Sequence, residues 1–158
     1  MTIKFGPAGL GPVKTAEATL EAYAKQGLKA CEIAFTYSVY IRPEDAVRIG
    51  KKAQELGIEL SIHAQYWVNL NALEKEKREA TKKRILDCCA IGALLGAKVV
   101  VFHPGYYTNK GKTSEDREQS YQMIKQGVEE LMKEIKKFQK AVFQKNSAHL
   151  QAPDFFLK

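Results

Sequence analysis

The chain has 158 residues, 45% apolar and 27% charged, with a formal net charge of +7. That length holds one ordinary domain with its own core, and no apolar run approaches the roughly 20 residues that would make a bilayer the expected partner. The positive balance suits phosphate-bearing partners, but residues 136–158 carry +4 of it through Lys136, Lys137, Lys140, Lys145 and Lys158 against Asp154, leaving +3 on the first 135 residues.

The chain repeats one strand-then-helix unit four times. Met1-Thr-Ile-Lys-Phe-Gly-Pro opens directly as a strand near residues 3–5, not as a charged segment leading an apolar targeting run, so a cytoplasmic location is expected. A glycine-rich turn (Gly6, Gly9, Gly11) follows. Its prolines remove backbone donors and no Gly-Lys-Ser/Thr comes after it, so it does not match a phosphate-binding loop. A helix over residues 15–26 aligns Ala16, Leu20, Tyr23 and Ala24 on one face and stops at Gly27.

The second strand spans residues 29–35. Its helix starts at Pro43, with Glu44 and Asp45 favourable in the first turn. Ala46, Ile49, Ala53 and Leu56 give its buried stripe, and Gly57 ends it. The third strand, residues 58–62, runs into His63; Asn71 and Glu74 are spaced as a capping box for the next helix, which carries Ile85, Cys88, Cys89 and Leu95 to Gly96. The fourth strand, residues 98–102, runs into His103. A last helix is capped by Thr113 or Ser114, with Tyr121, Ile124, Val128, Leu131 and Ile135 as its stripe.

This order predicts an α/β fold with parallel strands and helices outside. The unit length suits a (β/α)8 barrel, and about four units amount to a partial TIM barrel, since a complete one needs ~250 residues. Such a piece exposes sheet edges that invite self-association. Residues 138–158 break the pattern and read as an irregular C-terminal tail; only residues 141–143 resemble a remnant fifth strand. The three cysteines, Cys31, Cys88 and Cys89, form no Cys-x-x-Cys pair and read as reduced, buried thiols.

His63 and His103 stand at the ends of consecutive strands, which in a parallel sheet lie roughly 5 Å apart. Either alone reads as a packed, hydrogen-bonded histidine; at equivalent positions of adjacent units the two can share a metal such as zinc, iron or manganese. Two histidines do not complete a zinc site. Glu32 is a possible third ligand or a carboxylate satisfied within the barrel, and His149 and Asp154 in the tail are poorer choices. Tyr37, Tyr40, Tyr66, Trp67, Tyr106 and Tyr107 crowd the strand-end loops, where aromatic rings stack on bases or cap the core.

Phe5-Gly, Glu-Ile-Ala-Phe-Thr after the second strand, Ser-Ile-His63-Ala-Gln-Tyr66-Trp-Val-Asn69-Leu and Val-Phe-His103-Pro-Gly resemble endonuclease IV over residues 3–137. These are zinc-dependent apurinic/apyrimidinic endonucleases with a TIM barrel shared with sugar isomerases and epimerases. The resemblance implies that His63 and His103 match the first two ligands of a three-zinc (Zn2+) cluster. It implies that Tyr66 and Asn69 belong to a loop that helps hold the DNA, and that Tyr40 lies in the loop after the second strand with which the family enters the bent duplex; an arginine found there in some members is not matched at the same position, and Arg42 lies nearby. The implied partner is double-stranded DNA with abasic sites, cut at a phosphodiester by multi-metal chemistry.

Gln65 departs from the small or proline residue often found at its position. The bridging glutamate of strand five has no match in residues 138–158. The expected organisation is therefore an N-terminal half barrel over 1–137 followed by a tail over 138–158 that is truncated or out of frame. The alternatives are a sugar-phosphate isomerase or epimerase of the same barrel type, and a non-catalytic nucleic-acid-binding or self-associating fragment.

Overall fold

The computed structural model describes residues 3–145. The expected β/α alternation forms. Three strands, β1 (Ala30–Ala34), β2 (Glu59–His63) and β3 (Val99–Val101), make one parallel sheet in sequence order. They alternate with four helices, α1 (Ala16–Lys25), α2 (Pro43–Leu56), α3 (Lys75–Leu95) and α4 (Ser114–Lys145). No helix among the described residues is long and apolar enough to cross a membrane.

The described residues fall into two compact units, one of residues 3–65 with 87–101 and the other of 66–86 with 102–145. In the first, the strand pleat sorts side chains onto two faces. Cys31, Ile33, Leu60, Ile62 and Val100 are buried on one face, while Glu32, Ser61, His63, Val99 and Val101 are half-buried on the other. Ala16 and Leu20 of α1 and Ala46, Ile49 and Ala53 of α2 join the core. Pro43 starts α2 and Gly57 closes it with a left-handed backbone at φ 67°. Arg48 pairs with Glu17 and Asp45, and Lys52 with Glu21 at 3.0 Å, so charged pairs line the α1–α2 seam.

The first strand expected at residues 3–5 does not form. Instead the chain runs beside β1 a few residues later, with an isolated parallel bridge between Ala8 and Glu32. The Phe5 carbonyl accepts from Lys29 and Ala30, the Pro7 carbonyl accepts from Glu32, and Gly9 N–H donates to the Glu32 carbonyl. Pro7 has no N–H to give, which interrupts the ladder. Gly6 is what permits the approach, because a Cβ there would stand 1.6 Å from the Ala30 carbonyl oxygen.

In the second unit the 75–86 part of α3 packs with α4. Buried Lys82 bonds Glu79 at 2.9 Å and also Glu130 of α4. Gly127 of α4 lies against Leu70, where an added Cβ would meet the side chain at 3.2 Å. Thr113 caps α4 reciprocally: its Oγ1 accepts Asp116 N–H and Asp116 Oδ2 accepts Thr113 N–H.

Three sequence expectations are corrected. The Asn71–Glu74 capping box does not start α3, which begins at Lys75. The Ala72 and Leu73 carbonyls just before it accept from the Arg78 guanidinium, at 2.7 and 2.8 Å. Tyr121 is exposed and Ser120 is buried in its place, since Ser120 Oγ accepts Thr108 N–H and donates to the Asp116 carbonyl. Residues 141–143 are helical, because α4 continues through the expected boundary at 137 to Lys145. The rest of the expected tail, with His149 and Asp154, lies outside the described residues.

Candidate metal centre

β2 pairs with β3 so that His63 lies opposite Val101, and one residue, Phe102, separates Val101 from His103. His63 is half-buried and His103 exposed. His63 Nδ1 lies 2.9 Å from the Ala64 carbonyl oxygen. A carbonyl only accepts, so His63 Nδ1 is the donor of this hydrogen bond. That is the arrangement in which a backbone carbonyl orients an imidazole for metal binding. Among the described residues no group of three or more His, Cys, Asp or Glu side chains is gathered to hold a metal ion. The donor chemistry of His63 fits a metal ligand, and any fuller set draws on residues beyond those described.

Tyr40, Arg42 and Glu32 lie with His63 in the first unit. The Tyr40 ring meets Phe35 edge to face at 5.3 Å, and burial pushes its hydroxyl pKa up. Arg42 is exposed at the N-cap of α2. Glu32 sits in mid-strand, in register with Ser61.

Tyr66, Asn69 and His103 lie in the second unit, on two strand-end loops that interlock. Leu70 N–H donates to the Pro104 carbonyl at 2.8 Å. Asn69 N–H donates to Thr81 Oγ1, and Asn69 Oδ1 accepts Asn71 N–H at 3.0 Å, forming an Asx turn. Asn69 thus shapes its loop. Gly105 has φ +155°, and a Cβ there would stand 2.6 Å from Asn69 Oδ1, so glycine is required where the loops touch. Tyr66, Trp67, Tyr106 and Tyr107 are all more than half exposed.

Sequence reasoning missed two residues here. Asn71 is buried and donates from Nδ2 to the Tyr106 carbonyl at 2.6 Å and to Thr108 Oγ1 at 3.3 Å. Gln65, noted only as a departure, buries Oε1 without a hydrogen-bond partner among the described residues. Neither environment leaves a local sequence signal. The three thiols are free and buried as expected, and desolvation raises Cys31 to about 11, Cys88 to about 12 and Cys89 to about 11.

Residues 20–142 match the family described as xylose isomerase-like TIM barrel. Uncharacterized protein MJ0133 of Methanocaldococcus jannaschii is 33% identical over 135 residues, which make 83% of this chain and 45% of that protein. The D-psicose 3-epimerase of Clostridium cellulolyticum, solved with D-tagatose, superposes with a TM-score of 0.61 at 20% identity, over 74% of this chain and 42% of that one. Endonuclease IV from Thermus thermophilus superposes with a TM-score of 0.58 at 21% identity, over 94% of this chain and 48% of that one. These superpositions show a shared fold. The chain spans about half the length of the proteins it matches.

Proposed function

Because this chain belongs to the xylose isomerase-like TIM barrel family, we propose that it is the N-terminal half of a metal-dependent phosphodiester hydrolase acting at abasic sites in double-stranded DNA. The observation that carries this reading is the pair of histidines after consecutive parallel strands, His63 ending β2 and His103 two residues past β3. In this proposal His63 and His103 hold zinc, His63 through Nε2, with further ligands supplied from outside the described residues. Zinc supplies Lewis acidity toward a phosphate oxygen and toward water when it is bound. Tyr66 and Tyr40 offer ring faces and edges to unstacked bases, Arg42 offers a guanidinium to a phosphate, and Asn69 keeps the Tyr66 loop in shape. The free, buried thiols support a reducing, cytoplasmic setting.

A second reading, a sugar epimerase or isomerase, has one observation in its favour. Glu32 puts a half-buried carboxylate on the same sheet face as His63, where a proton-transfer group for such chemistry would stand. A duplex with one abasic site, incubated with the purified chain and zinc, separates the readings. The nuclease reading expects the chain to take up zinc, a loading that a chelator reverses and that His63→Ala and His103→Ala lose, and to incise once the further ligands are supplied. Steeply salt-dependent DNA binding without zinc uptake would replace it with a nucleic-acid-binding or self-associating module. Turnover of a ketose without incision would favour the epimerase.

A further inference from the structure

We infer that Asn71 is a positioning residue for His103, an inference that rests on reading His103 as a metal ligand. His103 is exposed and opens the turn His103-Pro-Gly-Tyr106. Its own strand ends at Val101, so β-sheet pairing does not hold the turn. The structure fixes the turn from the neighbouring loop instead. Its carbonyls at Pro104 and Tyr106 accept from Leu70 N–H at 2.8 Å and from Asn71 Nδ2 at 2.6 Å. Between them Gly105 is pressed against Asn69 Oδ1 and Asn71 N.

Asn71 is therefore held at both ends. Its N–H is fixed by Asn69 Oδ1, and its carboxamide bridges the Tyr106 carbonyl and Thr108 Oγ1, which in turn lies 3.2 Å from Ser120 Oγ of α4. A buried amide with this many partners gives one loop conformation, because any other leaves its donors unsatisfied. The backbone leaving His103 is thereby pinned on the far side of Pro104, whose ring fixes its own φ. The imidazole stands on a clamped turn.

Asn71→Asp keeps the side-chain size and removes both Nδ2 donors; Gly105→Ala strikes the same clamp from the opposite loop and leaves Asn71 unchanged. The first readout is the ring Cε1–H resonances of the histidines in the metal-free full chain. Both variants are expected to shift and broaden the His103 signal while that of His63 stays in place. The second readout is titration with cobalt(II), followed by visible absorption. Affinity is expected to fall about 10- to 100-fold, the usual cost of losing an outer support of a ligand, with an altered band and unchanged far-UV dichroism.

Wild-type His103 signals and cobalt affinity in both variants would overturn the inference. Should Asn71→Asp lose its helical dichroism, Thr108→Val, which removes the longer of the two Asn71 contacts together with the Thr108–Ser120 hydroxyl contact, takes its place; an unshifted His103 there overturns the inference and a smaller shift supports it. Wild-type protein that binds no cobalt through His103 refutes the metal reading, and the ring resonances still decide whether Asn71 sets the imidazole.

Discussion

Lys110 holds a left-handed backbone, φ 60° and ψ 22°, between Asn109 at φ 46° and Gly111 at φ 64°. Asparagine and glycine tolerate that region, whereas a lysine Cβ crowds the carbonyl that follows it. The turn persists because its surroundings hold it: the Gly111 carbonyl accepts from Arg117 and Asn109 Nδ2 donates to Asp116. Lys110→Gly is expected to stabilise the protein by about 1 kcal/mol, read as a higher urea midpoint at unchanged slope. Gln65 offers a second gain. Replacing it with methionine removes a buried acceptor that lacks a partner among the described residues, a defect costing about 1–3 kcal/mol, so the thermal midpoint is expected to rise. The cysteines make the opposite kind of prediction, one of inertness. With thiols pushed to about 11 or above, native protein at neutral pH is expected to resist iodoacetamide, and to take up three labels once unfolded in denaturant.

Elements pack through small residues, and Gly50 is the clearest case. A Cβ on Gly50 of α2 would stand 2.7 Å from the Leu95 carbonyl oxygen and 3.0 Å from that of Leu94, at the C-terminal end of α3. Those are backbone atoms with little freedom to give, so Gly50→Ala is expected to cost about 1–3 kcal/mol despite its better helix propensity. Thermal unfolding monitored by dichroism measures it. Much at this scale was legible in the sequence. Helix, glycine, short apolar run is a local code, and it located α1, α2 and β1–β3 to within a residue or two. It failed where tertiary partners override local signals. Asn71 and Glu74 have capping-box spacing, but α3 begins only at Lys75 and Asn71 turns its Nδ2 to acceptors in another loop, thirty-five positions or more along the chain. The apolar period on α4 selects Tyr121, but Ser120 faces inward because Thr108 needs its hydroxyl. Residues 3–5 are strand-like in composition, yet the pairing falls where Gly6 lets the backbones meet. At the candidate metal centre, His63 and His103 stand out by position alone, whereas the clamp behind His103 depends on a contact no local pattern encodes.

For the whole molecule, ionised carboxylates set the response to acid. Hydrogen bonding to Lys82 lowers the Glu130 pKa, Lys77 lowers Glu74, Lys52 lowers Glu21, and the Thr113 backbone N–H lowers Asp116. Each group binds protons less readily folded than unfolded, so its stabilisation is complete above the unfolded carboxylate range near pH ~4 and is lost as pH falls through the lowered folded values. Thermal midpoints are expected to be level around neutrality and to drop below about pH 4, with Glu130→Gln showing a shallower acid limb.

The sequential strand order has a kinetic side as well. β1 meets β2 through residues 29 apart, as in Ala30 with Glu59, and β2 meets β3 through residues 38 apart, as in Ser61 with Val99. Closing the second loop rather than the first costs only about 0.2 kcal/mol more in chain entropy. Neither pairing therefore has a decisive head start, and β2 can recruit whichever neighbour reaches it first. The strand that ends on His63 is the one both routes must pass through, so a substitution that weakens it should slow refolding whichever side nucleates.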